Sequence, residues 1–364
     1  MKMIRLTLLT VMVGMVGMVG LVGSAWAATP SWQDWVSKTW QEVAAPVGTS
    51  GKVVLCFASE KKAMGDYVPA EVTKLFPKLK VELYFDGSGE LMQELKEGNK
   101  RGCDLVSPAS RVLALGASGY TPSAKSIGAT PLVLVMKEDA TLEIEKILGH
   151  KINYSDIVSF AGQVWKNYAP AANKRGIIKV GITQAKFSNS GAVAAVSFVH
   201  NRLNKYEPLV ATDVDEASAD LKKFWAQTSH TYTSTGDLSN EFASDASTLT
   251  GIVTYESELP KIITAMANKG GVRVVYPDPG IMNDHPTWIV ENSQNREGAE
   301  AVLSYLLSVN GQNQMAKKVF LRPVNPKAKL EFPADVQKLV IWDVGPVDVP
   351  ADARVVNTLM EYVR

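Results

Sequence analysis

Lys80–Arg111 reads KVELYFDGSGELMQELKEGNKRGCDLVSPASR. Val81, Leu83 and Phe85 alternate along it, which is the period of a strand. Asp86-Gly87-Ser88-Gly89 then breaks the run. Leu91, Met92 and Leu95 follow at helical spacing, and Gly98-Asn99 closes that helix. Cys103–Val106 reads as a short buried strand, stopped by Ser107-Pro108. A strand–turn–helix–strand unit in one sheet requires parallel strands and a right-handed crossover. Ligands of open α/β sheets sit at the carboxyl ends of the strands. The DGSG and SPAS turns both lie there and offer backbone N–H groups and small hydroxyls, so this stretch predicts a site for something small.

Working outward, the apolar run Lys52–Ala58 (KVVLCFA) predicts a central parallel strand. Ser59 follows it as a candidate helix N-cap, ahead of a helix through Val68–Leu75. Upstream, Trp32–Val43 predicts an amphipathic helix whose Trp32, Trp35, Val36 and Trp40 pack it onto the rest of the chain. Downstream, Pro131–Met136 predicts a strand, Ile152–Tyr168 a helix and Ile177–Ile182 a second buried strand. That strand runs into QAKFSNSG (184–191) and the small-residue helix Ala192–Leu203. Ile252–Thr254 is another strand, ending at Tyr255-Glu256-Ser257. Thr287–Val290 is expected to pair antiparallel with Pro131–Met136, forming a hinge near 134–138 and 288–292. The chain thus leaves one α/β unit for a second and returns. The expected bounds are 28–135 plus 291–364 for a discontinuous first domain and 136–290 for the second, and a cleft between such halves suits a small ligand.

The 364 residues suffice for two cores, and 46% hydrophobic with 21% charged residues is ordinary for a globular protein. A formal net charge of +1 points to neither nucleic acid nor an anionic membrane. Residues 1–27 stand apart: Lys2 and Arg5 precede an apolar run, and Ser24-Ala25-Trp26-Ala27 carries the small–x–small pattern of a signal-peptide cleavage site. Export to the periplasm is the expectation. Cys56 and Cys103 are the two cysteines. An even count in an exported chain favours a disulfide. Placement on neighbouring strands, staggered by several residues, argues instead for two separate core cysteines.

FASEKKA (57–63), DGSGELMQEL (86–95), CDLVSPAS (103–110), FSNSG (187–191), TYESELP (254–260) and the run from WIVENS to FLRPVNP together resemble the bacterial extracellular solute-binding proteins. The similarity is to the two-domain, two-crossover type, on the branch that holds molybdate-, tungstate- and sulfate-binding proteins. It extends over about residues 50–326. It implies two Rossmann-like domains with a ligand cleft between them, a small solute, most readily an oxyanion, and a membrane transporter permease as partner. The oxyanion binders of this family hold their anion with hydroxyls and backbone N–H groups rather than counter-charges. Carried over, those groups are Ser59, Ser88, Ser110, Ser190 and Tyr255, with Glu60, Asp86, Gly89, Asn189 and Glu256 beside them. Molybdate, tungstate and sulfate are expected ahead of phosphate. Glu60-Lys61-Lys62 departs from the family pattern. An acid facing an oxyanion would repel it, so a cationic or amine-bearing solute is the alternative.

Enzyme constellations are missing from the sequence. His150, His200, His230 and His285 show no i, i+4 pair and no HExxH. Ser188-Asn189-Ser190-Gly191 is not a GxSxG elbow. The expectation is a monomeric, non-catalytic binding protein without cofactor or metal, or else an adaptor that has lost its ligand.

Overall fold

The computed structural model describes residues 32–40, 43–115, 120, 124–172, 174–342, 344, 346–347, 350 and 352–363. The expected signal segment lies outside them. The strands are β1 (Gly51–Ala58), β2 (Leu79–Asp86), β3 (Leu105–Ser107), β4 (Lys125–Ser126), β5 (Thr130–Lys137), β6 (Val180–Gly181), β7 (Gly251–Tyr255), β8 (Val272–Val275), β9 (Gly280–Asn283), β10 (Pro286–Ile289) and β11 (Pro346–Val347). They form two sheets, ordered β2-β1-β3-β10-β4 and β11-β9-β5-β7-β6, with β8 also pairing β5.

β1 lies inside the first sheet, between β2 and β3, and its residues are apolar on both faces. Val53, Leu55 and Phe57 pack with Ala299, Val302 and Leu306 of the helix Arg296–Leu307. Val54, Cys56 and Ala58 pack with Leu91, Met92 and Leu95 of the helix Ser88–Lys96. Burial on both sides is what a continuous apolar run implies. β1 pairs β2 and β3 in parallel, with Ala58 opposite Asp86 and Phe57 opposite Ser107. The turns after all three strands are therefore nearly level, at one sheet edge.

The predicted hinge pairing is not formed. β10 runs antiparallel to β3, with Trp288 opposite Val106, while β5 pairs β7, β8 and β9. Alternating apolar residues set the face a strand buries but carry no information on its partner, which depends on where the intervening chain returns. The chain passes between sheets at 127–129 and again at 284–285. Late in the chain, β11 joins the second sheet through β9. The helix Ala353–Tyr362 follows it there, where Tyr362 Oη donates to Asp215 Oδ1 at 3.1 Å. The helix expected over 152–168 breaks into short turns, and the strand expected over 177–182 contracts to Val180–Gly181.

Two further expectations change. Cys56 and Cys103 form a disulfide, with Cα atoms 5.7 Å apart. Cys103 precedes β3 and lies off the ladder, so strand stagger does not set its distance. Ser59 caps nothing with its side chain: it opens a 3-10 helix, Ser59–Asp66, whose N-cap is Ala58. The leading helix spans Trp32–Thr39 and packs inward as expected. Trp32 stacks on Trp35 at 5.1 Å, and Val36 is buried beside Ala129 and Met282.

Candidate functional site

The level turns of the first sheet meet the FSNSG turn of the second. Gly89 N–H donates to the Phe187 carbonyl at 3.1 Å. A side chain at Gly89 would lie 2.5 Å from the Lys186 carbonyl, and one at Gly87 would lie 2.9 Å from that of Phe187. Neither glycine has a positive φ. They are needed for close backbone approach rather than for the left-handed conformation.

Ser110 donates through Oγ to Asn189 Oδ1 at 2.7 Å and also caps its own helix by accepting from Val112 N–H. Asn189 then donates to Tyr255 Oη at 3.0 Å and to Asn283 Oδ1 at 3.1 Å. Ser190 Oγ lies 2.7 Å from Thr183 Oγ1 and 2.8 Å from Thr235 Oγ1. Ser88 accepts from the Ala109 N–H at 3.0 Å. All of these side chains are buried. Burial, and after it the charge of Glu60, raises the Tyr255 pKa well above the ordinary tyrosine value, so its hydroxyl keeps its proton. Asn189 and Ser190 open the 15-residue helix Asn189–Leu203, and the first N–H groups of a helix favour negative charge.

The acids each have a cation. Glu60 pairs with Lys61 at 3.2 Å. The Lys61 ammonium is buried and also donates to the carbonyls of Ser107 and Pro108 at 3.1 and 3.2 Å. Burial lowers its pKa, and Glu60 opposes that shift. Asp86 is held by Arg101. Glu256 is fully buried in a two-pronged pair with Arg322, at 2.8 and 2.6 Å, and accepts from Tyr276 Oη at 2.6 Å. Arg322 lies between the rings of Trp32 and Trp342, at 5.6 and 5.4 Å. Glu256 is thereby tied to the tail of the chain.

Ser110, Asn189, Ser190 and Tyr255 are thus brought together, with Ser88 one hydrogen bond away through Ala109. Ser59 and Glu60 line an adjoining cavity of ≈320 Å³ with Ser234, Asp237, Ser257 and Glu258. Asp86 and Glu256 belong to separate ion pairs. A larger cavity of ≈1000 Å³, walled by Leu113, Trp225 and Met360 with Lys96 and Lys186, contains none of the converging hydroxyls. Sequence reasoning missed Thr183, Thr235, Asn283, Lys61 and His285. Lys61, third after β1 and flanked by Glu60 and Lys62, reads as exposed. Thr183 follows β6, Thr235 opens the helix Thr235–Ala243 and Asn283 ends β9, but nothing in their neighbouring sequence marks their convergence.

The family of bacterial extracellular solute-binding proteins matches residues 53–320. The chain belongs to that family. A thiosulfate-binding protein from Pseudomonas aeruginosa is 33% identical over 97 residues, which is 26% of this chain and 29% of that relative. The match thus spans under a third of the relative's length. Among solved structures, an ABC transporter from Clostridium perfringens has a TM-score of 0.57 at 17% identity, over 86% of this chain and 98% of that one. A ferric binding protein from Campylobacter jejuni has a TM-score of 0.59 at 13% identity, over 85% and 97%. A periplasmic binding protein from Actinobacillus pleuropneumoniae, with fructose-6-phosphate bound, has a TM-score of 0.58 at 15% identity, over 86% and 99%. These three share the fold, a mixed α/β architecture of the two-lobed periplasmic-binding-protein type.

Proposed function

We propose that this chain is a periplasmic binding protein that captures a small oxyanion between its two sheets and delivers it to an ABC-type permease. The supporting observation is the buried cluster of hydroxyls and amides drawn from both sheets. Ser88 and Ser110 come from one, and Asn189, Ser190 and Tyr255 from the other. With Glu60, Asp86 and Glu256 each neutralised by a basic partner, the repulsion that weighed against an anion is largely offset. Ser59 and Gly89 complete the proposed ligand groups. Residues 1–27 act as a cleaved signal, and the mature chain works as a monomer. The two sheets mark two domains, with the crossings at 127–129 and 284–285 as their hinge and a third passage, between β10 and β11, taking the tail to the second sheet. The partial resemblance to a thiosulfate binder fits an oxyanion. The adjoining cavity, where Asp237 and Glu258 stand beside Lys62, Lys261 and Lys318, gives a second reading, an amine-bearing solute held by those acids.

A thermal-shift screen of inorganic anions, polyamines, amino acids and divalent metals separates the two. A ligand that binds only the native state raises the melting temperature by mass action. Anions alone should raise it. A shift produced only by amines or metals would move the site to the acids of the cavity and overturn the oxyanion reading.

A further inference from the structure

His285 sits at the second crossing between the sheets, and neither ring nitrogen has a hydrogen-bond partner among the described residues. The residue is fully buried, with φ of +39°, in the left-handed region that a histidine seldom adopts. Such an arrangement costs free energy twice, once in the backbone and once in the unpaired nitrogens. Its backbone holds it against the turns already described. The His285 N–H donates to the Ala109 carbonyl at 3.1 Å, in the same turn whose Ala109 N–H meets Ser88. Its Nδ1 lies 3.6 Å from Glu60 Oε1, and Glu60 is close enough to Tyr255 to disfavour its ionisation. The imidazole therefore lies among the groups of the cleft.

The charged neighbours are Glu60, the Lys61 ammonium, and Asp284, which is occupied by Arg111 with Nε donating at 2.8 Å. Burial, and after it the Lys61 charge, holds the His285 pKa well below the ordinary histidine value, so the ring is neutral. A neutral imidazole has one N–H and one bare nitrogen. The Glu60 carboxylate beside Nδ1 favours the proton there, which leaves Nε2 as an acceptor. A bare nitrogen attracts a donor and repels an oxygen lone pair. Fully ionised tetrahedral anions such as sulfate, molybdate and tungstate offer only lone pairs.

We propose that His285 contacts the solute and accepts a hydrogen bond through Nε2, so that the solute is an oxyanion retaining an O–H group, of the class of hydrogen phosphate, hydrogen arsenate or a monoprotonated phosphonate. This deepens the oxyanion reading above and rests on it. It reverses the order expected from the family branch, because it sets an acceptor beside the hydroxyls and N–H groups carried over from that branch.

The test is calorimetric titration of the mature protein with inorganic phosphate, arsenate, sulfate, molybdate and tungstate at mildly alkaline pH, where phosphate keeps one O–H. Wild type should bind phosphate and arsenate about tenfold or more tighter than the three fully ionised anions, since a site built to bond a hydroxyl rejects analogues without one. His285→Phe should abolish that preference, leaving phosphate and sulfate to bind within about twofold of each other. If His285→Phe fails to fold, His285→Asn suits the left-handed backbone, withdraws the ring and should lose the preference in the same way. Sulfate or tungstate binding as tightly as phosphate would overturn the proposal and leave the oxyanion cleft standing. So would a phosphate preference that survives in both variants. No heat with any anion would overturn the proposal together with the reading beneath it.

Discussion

Ser88 and Ser190 matter for different partners. Ser88 satisfies the Ala109 N–H, and Ser190 joins Thr183 and Thr235. Replacing Ser88 by Ala leaves a buried N–H without an acceptor, at a cost of about 1–3 kcal/mol. Ser190→Ala leaves two threonine hydroxyls to rearrange, at a similar or smaller cost. The two serines share no partner, so their effects on stability should nearly add. If both also hold the solute, the folded double variant should have lost measurable anion binding. Urea midpoints and titrations on wild type, both singles and the double decide this. Full-strength binding by a folded double variant would take the site away from these turns.

Elements position those residues through close packing that only glycine permits. The helix Asn189–Leu203 begins against the segment 183–185, and a Cβ at Gly191 would run into the Thr183 carbonyl and lie 2.9 Å from the Ala185 N–H. Both are backbone atoms and cannot swing aside. Gly191→Ala should therefore destabilise by about 1–3 kcal/mol and weaken anion binding by displacing Asn189 and Ser190. Gly236→Ala is the control, since its added Cβ meets nothing closer than Ser234 Oγ at 3.8 Å. Its urea midpoint should match or slightly exceed that of wild type. Equal midpoints for both variants would show that the helix start is not tightly held. Parallel strands make such a site economical, because register alone brings the turns after β1, β2 and β3 to one edge.

At the scale of the whole molecule, hydrogen bonds among the described residues join the turns of the two sheets, Ser110 to Asn189 and Gly89 to Phe187. Opening would break both, and a solute bridging the same groups would favour the closed form. Small-angle scattering should give a smaller radius of gyration with saturating ligand than without. The Cys56–Cys103 bond closes a loop with a sequence separation of 47, worth about 4 kcal/mol by loop entropy. Both cysteines belong to the first sheet's side. Reduction should lower the melting temperature while leaving the ligand-induced contraction unchanged. An unchanged radius in the oxidised protein, despite proven binding, would remove closure as the mechanism.

The amino-acid sequence by itself determined the parallel β1–β2–β3 unit, the polar turns at its edge and the small-residue helix after FSNSG. Those follow from periodicity, glycine placement and chain connectivity, all of which are local. Ser110, Asn189, Ser190 and Tyr255 entered through the family resemblance, carried over one by one onto turns that stand next to a strand end or helix start. Only the tertiary structure decided that β10 pairs β3 rather than β5, and that Cys103 reaches Cys56 from outside the ladder. It alone showed that Arg322 neutralises Glu256 across 66 residues of chain, and that His285 comes to rest beside Glu60. Pairings of this kind are chosen by where long loops return and by the need to give buried charges a partner. That condition belongs to the packed interior as a whole and leaves no mark in the neighbouring sequence.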